Sequence, residues 1–234
     1  MKVSRKLARS ATFSVVLILC LLALPGPANT QPVIRTTQKI LVLDPGHGGR
    51  DTGIVSVMGH SEKTITLMLA RQIAKQLDAT CNIILTRTED IALDDIQRME
   101  IANQYKADLF VSIHLQTPGR KRAAIFHFAQ PGILPEQKSS TLLKQWPFLP
   151  LAKLPQSRLA AKTLLKHFSS QGSPAMVSAA PLNVLEGAGM PAILVEPFSI
   201  ESLPSAPEGV KTRLEHYAGI ISQGIRRYFT ITDK

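Results

Sequence analysis

The chain has 234 residues, which is enough for one domain with a substantial hydrophobic core and too short for two full domains. Its 27 lysines and arginines outnumber its 17 aspartates and glutamates, so the formal net charge is +10. With only two cysteines, the chain is not a disulfide-stapled scaffold.

Residues 1–28 have the layout of a secretory signal peptide. A basic segment precedes an apolar run from Ala11 to Leu24, and the small residues Gly26 and Ala28 follow. The run is shorter than the roughly 20 residues that cross a bilayer as a helix. We therefore expect cleavage and export to the periplasm or the extracellular space, with no stable membrane span afterwards. Retention of the run as an anchor is the alternative. Residues 29–38 are a polar leader.

Removal of the signal peptide would lower the net charge to about +6 and leave Cys81 as the single cysteine. A basic exported protein is suited to anionic polymers and membrane surfaces, whereas nucleic acid is not an expected partner outside the cytoplasm. With one cysteine no internal disulfide can form, and Cys81 is interpreted as a small residue at the start of a strand.

Residues 39–116 alternate apolar runs with segments of helical period. Ser61 is a candidate helix cap, and the predicted core faces are Ile65, Met68, Leu69, Ile73 and Leu77 in the first helix and Leu93, Ile96, Met99 and Ala102 in the second. The predicted elements are a strand at 39–44, a helix at 61–78, a strand at 82–87, a helix at 93–105 and a strand at 109–116.

The pattern becomes less regular after residue 122. Residues 131–156 contain five prolines and the only tryptophan without a clear period, which predicts a long surface excursion. The other predicted elements are strands at 123–130, 183–185 and 192–196, a helix at 157–168, and a last helix whose apolar positions run from Val210 to Tyr228. The whole domain is predicted to span residues 39–230.

Strands that alternate with helices of this length predict a single α/β domain with a mainly parallel, twisted sheet covered by helices on both faces. In such sheets, ligands bind beyond the carboxyl ends of the strands.

The glycine-rich loop after the first strand reads D-P-G-H-G-G-R-D-T-G from Asp44 to Gly53. A dinucleotide fingerprint would need a third glycine where Asp51 stands, and the charge of Asp51 would repel a pyrophosphate. The chain also lacks the Lys and Ser or Thr spacing of a phosphate loop and a G-x-S-x-G nucleophile elbow. These three common functions are excluded.

Four side chains with acid–base or metal-ligating chemistry are predicted to lie at that carboxyl edge. His47 follows the first strand, Glu62 opens the next helix, His114 ends the third strand and Glu196 ends the strand at 192–196. Two imidazoles and a carboxylate are a known ligand set for catalytic zinc, with a further carboxylate available as a base. This pattern predicts a zinc-dependent hydrolase.

Each residue also has a plainer interpretation. His47 fits a turn, Glu62 is favourable at a helix amino end without a metal, His114 fits a hydrogen-bonded strand end, and Glu196 fits an ion pair. The separations of 15 and 52 residues are not a compact metal motif, so only their convergence on one edge favours the metal site.

The motifs together resemble the zinc-dependent N-acetylmuramoyl-L-alanine amidases of the amidase-3 type. The pieces occur in the family's order, and the resemblance covers residues 39–116 strongly, 157–229 moderately and 131–156 not at all. After the glycine loop they are G-H-S-E-K, T-R-T-E-D, R-M-E-I-A-N, L-F-V-S-I-H and P-A-I-L-V-E-P-F.

The resemblance implies that His47, Glu62 and His114 bind Zn²⁺ and that Glu196 is the catalytic acid–base. It also implies peptidoglycan as the substrate, with hydrolysis of the amide between N-acetylmuramic acid and the L-alanine of the stem peptide. Whether an activator protein takes part is left open.

The chain departs from the family at two places. Residues 115–117 are Leu-Gln-Thr where the family has Ala-Asn-Ala, and residues 197–200 are Pro-Phe-Ser-Ile where it has Gly-Phe and Ser-Asn. Metal chemistry survives these changes, whereas substrate fit is in doubt. Two alternatives therefore remain: an inactive wall-binding or regulatory module, and a zinc hydrolase of a different amide.

Several other polar residues also have a functional and a structural interpretation. Arg87 and Arg98 are candidates for substrate binding, against the plainer interpretation that they brace loops through ion pairs. Asp44 and Asp51 are candidates to orient His47 from behind. The remaining histidines are predicted to be surface residues: His60, His127, His167 and His216.

Overall fold

A computed structural model describes residues 38–129 and 145–233 of the chain. The predicted signal peptide, the leader up to residue 37, the last residue of the predicted strand at 123–130 and residues 131–144 of the predicted excursion lie outside the described residues. The strands are β1 (Ile40–Pro45), β2 (Asn82–Leu85), β3 (Leu109–Ile113), β4 (Ala123–Phe128), β5 (Ala175–Ala180) and β6 (Ala192–Glu196). The helices are α1 (Glu62–Leu77), α2 (Asp95–Gln104), α3 (Leu149–Ala152), α4 (Leu154–Ser170) and α5 (Pro207–Thr232).

The strands form one six-stranded sheet in the order β2-β1-β3-β6-β4-β5. β2, β1, β3 and β6 are parallel, β4 is antiparallel to β6, and β5 is parallel to β4. The prediction of a mainly parallel α/β sheet is confirmed. The reversed pair has one consequence for the site: β4 begins where β6 ends, so the loop that enters β4 lies at the carboxyl edge of the parallel strands.

Alternation along the strands divides the core between the two faces of the sheet. Leu41 and Leu43 of β1 face the larger cluster, which includes buried residues of α1, α4 and α5, whereas Val42 faces a smaller cluster with α2 and α3. The parallel strands are therefore apolar on both faces, which explains their continuous apolar sequences.

The helix boundaries follow local capping chemistry. Asp94 caps α2 in a capping box, accepting from the backbone N–H of Gln97 while the Gln97 side chain accepts from the N–H of Asp94. Ser61 is the N-cap of α1 as predicted, but its side chain makes no cap hydrogen bond. Instead, its hydroxyl lies 2.8 Å from that of Thr64.

Several predictions about the second half are wrong. β5 was not predicted, because its residues, Ala-Met-Val-Ser-Ala-Ala, include few of the larger strand formers and lie at the edge of the sheet. Residues 183–185 form a 3₁₀ turn rather than a strand. The described part of the excursion, residues 145–156, contains a 3₁₀ turn, α3 and the first residues of α4, and it buries Leu151 and Leu154.

Three predicted orientations also differ. Met68 and Ile96 lie on exposed positions of their helices rather than in the core. His127 is buried on β4 instead of at the surface, and its Nδ1 lies 3.0 Å from the carbonyl oxygen of Phe128. Among the described residues, no helix combines the length and the apolar character needed to cross a bilayer.

Candidate metal centre and active site

The carboxyl ends of three neighbouring strands meet in register at one edge of the sheet. Pro45 pairs with Ile113, and Ile113 pairs with Val195. The backbone bonds continue one residue further, since the N–H of Gly46 donates to the carbonyl of Ile113 and that of His114 donates to Val195. The side chains that follow these strands are thereby brought to one place.

The loop after β1 turns sharply at His47. This residue has φ 62°, in the left-handed region, and Gly48 and Gly49 follow with φ 135° and 60°. A Cβ on Gly46 would lie 2.4 Å from the His114 ring, so only glycine allows the two histidines to approach each other here. The glycines thus allow the tight turn that was predicted to place His47 at the sheet edge. The positive φ of His47 itself was not predicted.

Glu62 is a nearly fully buried carboxylate at the first position of α1. Its Oε2 accepts from the backbone N–H of Ile54 at 3.0 Å, and its Oε1 accepts from that of Leu115 at 2.8 Å. Burial alone would raise the pKa of Glu62, but its hydrogen bonds with His114, His47 and these backbone groups outweigh burial and lower the pKa strongly. Glu62 is held as an anion.

Three ligand atoms converge in front of this carboxylate. His47 Nε2 and Glu62 Oε1 are 3.1 Å apart, His114 Nδ1 and Glu62 Oε1 are 3.2 Å apart, and the two imidazole nitrogens are 3.2 Å apart. Ligands of a tetrahedral zinc ion at about 2.0–2.1 Å lie about 3.3 Å from one another. The residues present therefore fit a metal of this kind, and no other such group occurs among the described residues.

Asp51 orients His47 from behind. Its Oδ2 lies 2.8 Å from Nδ1 of His47, which places the ring proton on that nitrogen and leaves Nε2 as the nitrogen that would bind a metal. Burial tends to lower the pKa of His47, but Glu62 and Asp51 raise it above its ordinary value. Asp44, the other residue considered for this role, makes no contact with the ring and accepts instead from Thr86, Arg98 and Ser112.

Arg87 and Arg98 are buried against the loop that carries His47, in agreement with the interpretation that they brace loops. Their exposed fractions are 1% and 4%. Arg87 donates to the carbonyls of Pro45 and Gly46, at 2.9 Å each. Arg98 donates to Asp44 and Pro45 at 2.8 Å and to the carbonyl of His47 at 2.9 Å. The two guanidinium groups thus donate hydrogen bonds to carbonyl oxygens of the loop that carries His47.

Glu196 ends β6 beside this cluster and is half-buried. Burial raises its pKa above the ordinary value, the negative charge of Glu62 adds to that rise, and the positive charges of His114 and Arg120 oppose it. The carboxyl group opens into a cleft of about 700 Å³. A carboxyl with a raised pKa in a cleft is suited to acid–base chemistry.

The two segments that depart from the resembled family lie against each other. Gln116 and Ser199 form a parallel bridge, the N–H of Gln116 donates to the carbonyl of Phe198 at 3.0 Å, and that of Ile200 donates to Gln116 at 3.3 Å. The two departures from the family therefore lie side by side, joined by backbone hydrogen bonds. This pairing was not apparent from sequence, because 80 residues separate the two segments.

Of the remaining histidines, His60 is half-buried and its Nε2 lies 3.0 Å from the carbonyl oxygen of Pro204. This contact ties the loop before α1 to the segment after β6. His216 is exposed on α5, and His167 is half-buried near the end of α4. None of the three belongs to the ligand group.

The chain is similar in sequence to known proteins. Residues 41–226 match the family model of N-acetylmuramoyl-L-alanine amidases. The chain is 31% identical over 171 residues to an endolysin of Bacillus phage SPP1, covering 72% of this chain and 57% of the relative. It is 42% identical over 76 residues to the amidase AmiC of Neisseria meningitidis serogroup B, covering 32% of this chain and 18% of the relative.

A solved structure is similar over a larger share of both chains. The catalytic domain of the amidase CwlV from Paenibacillus polymyxa superposes with a TM-score of 0.63 at 25% identity, covering 82% of this chain and 99% of that domain. The chain therefore spans a catalytic-domain structure almost entirely, but well under two thirds of the length of the two curated relatives.

Proposed function

The chain belongs to the N-acetylmuramoyl-L-alanine amidase family, and from that premise we propose that it is a zinc-dependent peptidoglycan hydrolase. The bond cleaved is the amide between the lactyl group of N-acetylmuramic acid and the L-alanine of the stem peptide. The observation that carries the proposal is the convergence of His47, Glu62 and His114 within 3.2 Å of one another, beside the half-buried Glu196.

The donor set supports zinc as the cofactor. Two imidazoles and one carboxylate with a remaining open position are typical of catalytic zinc sites, whereas Mg²⁺ and Ca²⁺ favour sets of oxygen ligands. When bound, zinc supplies a Lewis acid for the scissile carbonyl and makes water acidic enough to attack near neutral pH.

The residues of the chain supply positioning and proton transfer. His47 and His114 hold their ligand nitrogens toward Glu62, and Asp51 fixes the tautomer of His47. Glu196 accepts a proton from the attacking water and returns it to the departing amine of L-alanine. Its raised pKa suits this exchange, because a pKa above that of an ordinary glutamate is closer to neutral pH.

The amino-terminal sequence supports export. The signal-peptide layout of residues 1–28 and the basic charge suit a protein that acts on an anionic wall polymer outside the cytoplasm. The location is the periplasm or the extracellular cell-wall space, and the protein takes part in wall remodelling.

The decisive experiment is digestion of purified peptidoglycan by the protein lacking residues 1–28, with product masses measured with and without a chelator. We expect intact stem peptides with a free L-alanine amino group, loss of release with the chelator, and recovery when zinc is added. His114→Ala should release nothing in any of the three conditions.

Two outcomes contradict the proposal and identify the alternatives. Zinc bound in a one-to-one ratio without any release of peptide would indicate a wall-binding or regulatory module. Products from a different cleaved amide would indicate a zinc hydrolase with another substrate.

A further inference from the structure

The loop between β3 and β4 carries three consecutive cations, Arg120, Lys121 and Arg122, which we call the basic rim. All three are exposed. The structure records no ion pair between any of them and a carboxylate of the described residues, unlike Lys63 or Arg98, which are both paired. The basic rim is therefore an uncompensated positive patch within the described part of the chain.

The basic rim and Glu196 line the same cleft. Arg120 is close enough to Glu196 for its charge to oppose the effect of burial on the pKa of that carboxyl. A hydrogen bond within the loop also holds the rim, because the side-chain amide of Gln116 donates to the carbonyl oxygen of Arg122. The three cations thus border the site at which the leaving amine is protonated in the proposed reaction.

Strand register places this border beyond the end of β6. Ala124 of β4 lies opposite Glu196, and Arg122 precedes Ala124 by two residues. β4 runs antiparallel to β6, so the residues that precede Ala124 lie beyond the end of β6, at the carboxyl edge of the sheet.

The inner wall of the cleft is apolar. Ala124, Phe126 and Met176 line it, and 43% of Met176 is exposed. A cleft with an apolar wall and a cationic border suits a peptide that has small apolar side chains and a carboxylate. A polyphosphate chain would use the cations but would leave the wall uncovered.

We propose that the basic rim binds a carboxylate on the amine side of the scissile amide and selects stem peptides by the charge of their second residue. This inference rests on the proposed function. In the proposed reaction Glu196 returns its proton to the leaving amine, and the departing peptide lies along the cleft that Glu196 and the basic rim both line. A free carboxylate on the residue after L-alanine meets the guanidinium groups there, whereas an amidated one offers no charge to them.

The test compares two muramoyl pentapeptides that differ only in whether the α-carboxyl of the second residue, D-glutamate, is free or amidated. We expect the zinc-loaded protein to prefer the free acid by about fivefold to tenfold in kcat/KM, since exposed charge pairs give modest discrimination. In the triple variant R120Q/K121Q/R122Q the preference should fall below about twofold.

The matched control is R158Q/K162Q/K166Q, three exposed cations on α4, which packs against the opposite face of β4. It removes the same charge and should keep the preference of the unaltered protein. Equal far-ultraviolet spectra and melting temperatures of both triple variants would show that the rim change acts without unfolding.

Each further result has a definite meaning. If the basic-rim variant keeps the full preference, the inference is overturned while cleavage upholds the amidase. If it loses only binding to a wall phosphate polymer such as teichoic acid, the rim serves that polymer and the inference is again overturned. If neither pentapeptide is cleaved, the proposed function fails. Binding of the dipeptides L-Ala-γ-D-Glu and L-Ala-γ-D-isoglutamine, followed by NMR, then tests the rim by itself.

Discussion

At the scale of single residues, His47 shows how this site is built. Its left-handed φ of 62° costs a non-glycine residue about 1–2 kcal/mol in isolation. The surrounding contacts hold it there, since Arg98 donates to its carbonyl and Asp51 contacts its ring. Backbone strain of this kind is retained where it places a functional group, and here it directs Nε2 toward Glu62.

The pH dependence of the reaction should report on Glu196. The proposed base acts as a carboxylate, and burial raises its pKa, so the active form is lost at a higher pH than for an ordinary glutamate as the solution becomes acidic. We expect the acid limb of the kcat/KM profile to lie at a higher pH than the ordinary glutamate pKa of 4.5. Glu196→Gln should lower kcat by about 10²–10⁴-fold while zinc remains bound.

The measurement is a pH–rate profile with zinc content determined at each pH, so that metal loss is separated from protonation of Glu196. Glu208→Gln, an exposed residue at the start of α5, is the matched control and should follow the unaltered profile. Near-normal release of stem peptides by Glu196→Gln would remove Glu196 from the mechanism.

At the scale of elements, buried arginines join the loop after β1 to the rest of the domain. Arg98 comes from α2 and Arg87 from the segment after β2, and both donate to carbonyls that the sharp turn leaves without strand partners. Asp44, fully buried, pairs with Arg98 at 2.8 Å. The position of His47 thus depends on buried groups that come from other elements.

Arg98→Met should therefore act on stability. It removes one partner of a buried ion pair and leaves Asp44 uncompensated, which costs about 3–5 kcal/mol. The free energy of unfolding of the zinc-free protein, measured with a chemical denaturant, tests this directly. Arg50→Met in the same loop is the control, because Arg50 is exposed and its loss should change stability by about 0.5 kcal/mol or less. Equal effects of the two variants would contradict the bracing role.

At the scale of the whole molecule, the proposed metal site joins residues that are far apart in the chain. Its ligands come from the loop after β1, the start of α1 and the end of β3, and Glu196 adds β6. These residues are close together only in the folded chain, so a metal that binds them binds the folded state and not the unfolded state. Metal binding and global stability are therefore linked.

Zinc should raise the melting temperature of the chelator-treated protein. At a free zinc concentration about 1,000 times the Kd, the stabilisation is about 4 kcal/mol. For a domain of this size the corresponding shift is about 8–16 °C. Calorimetry with and without zinc measures it; His114→Ala should show little of the shift, and Mg²⁺ should not reproduce it. A shift of the same size in His114→Ala would place the zinc elsewhere.

The sequence alone determined the fold class and the edge of the sheet at which the candidate ligands lie. The reason is that periodicity fixes which elements form, and parallel strands bring their carboxyl ends together whatever the details of packing. His47, Glu62, His114 and Glu196 could be placed at one edge by that rule, and the family match agrees with the resemblance that their motifs carried.

The tertiary structure alone decided the contacts between residues far apart in the chain. The burial of Arg87 and Arg98, the existence of β5 and the reversed direction of β4 depend on packing partners that no local pattern encodes. The reversal of β4 brings the basic rim to the carboxyl edge beside Glu196. Three charged residues that look in sequence like an ordinary solvated loop are thereby placed in the cleft.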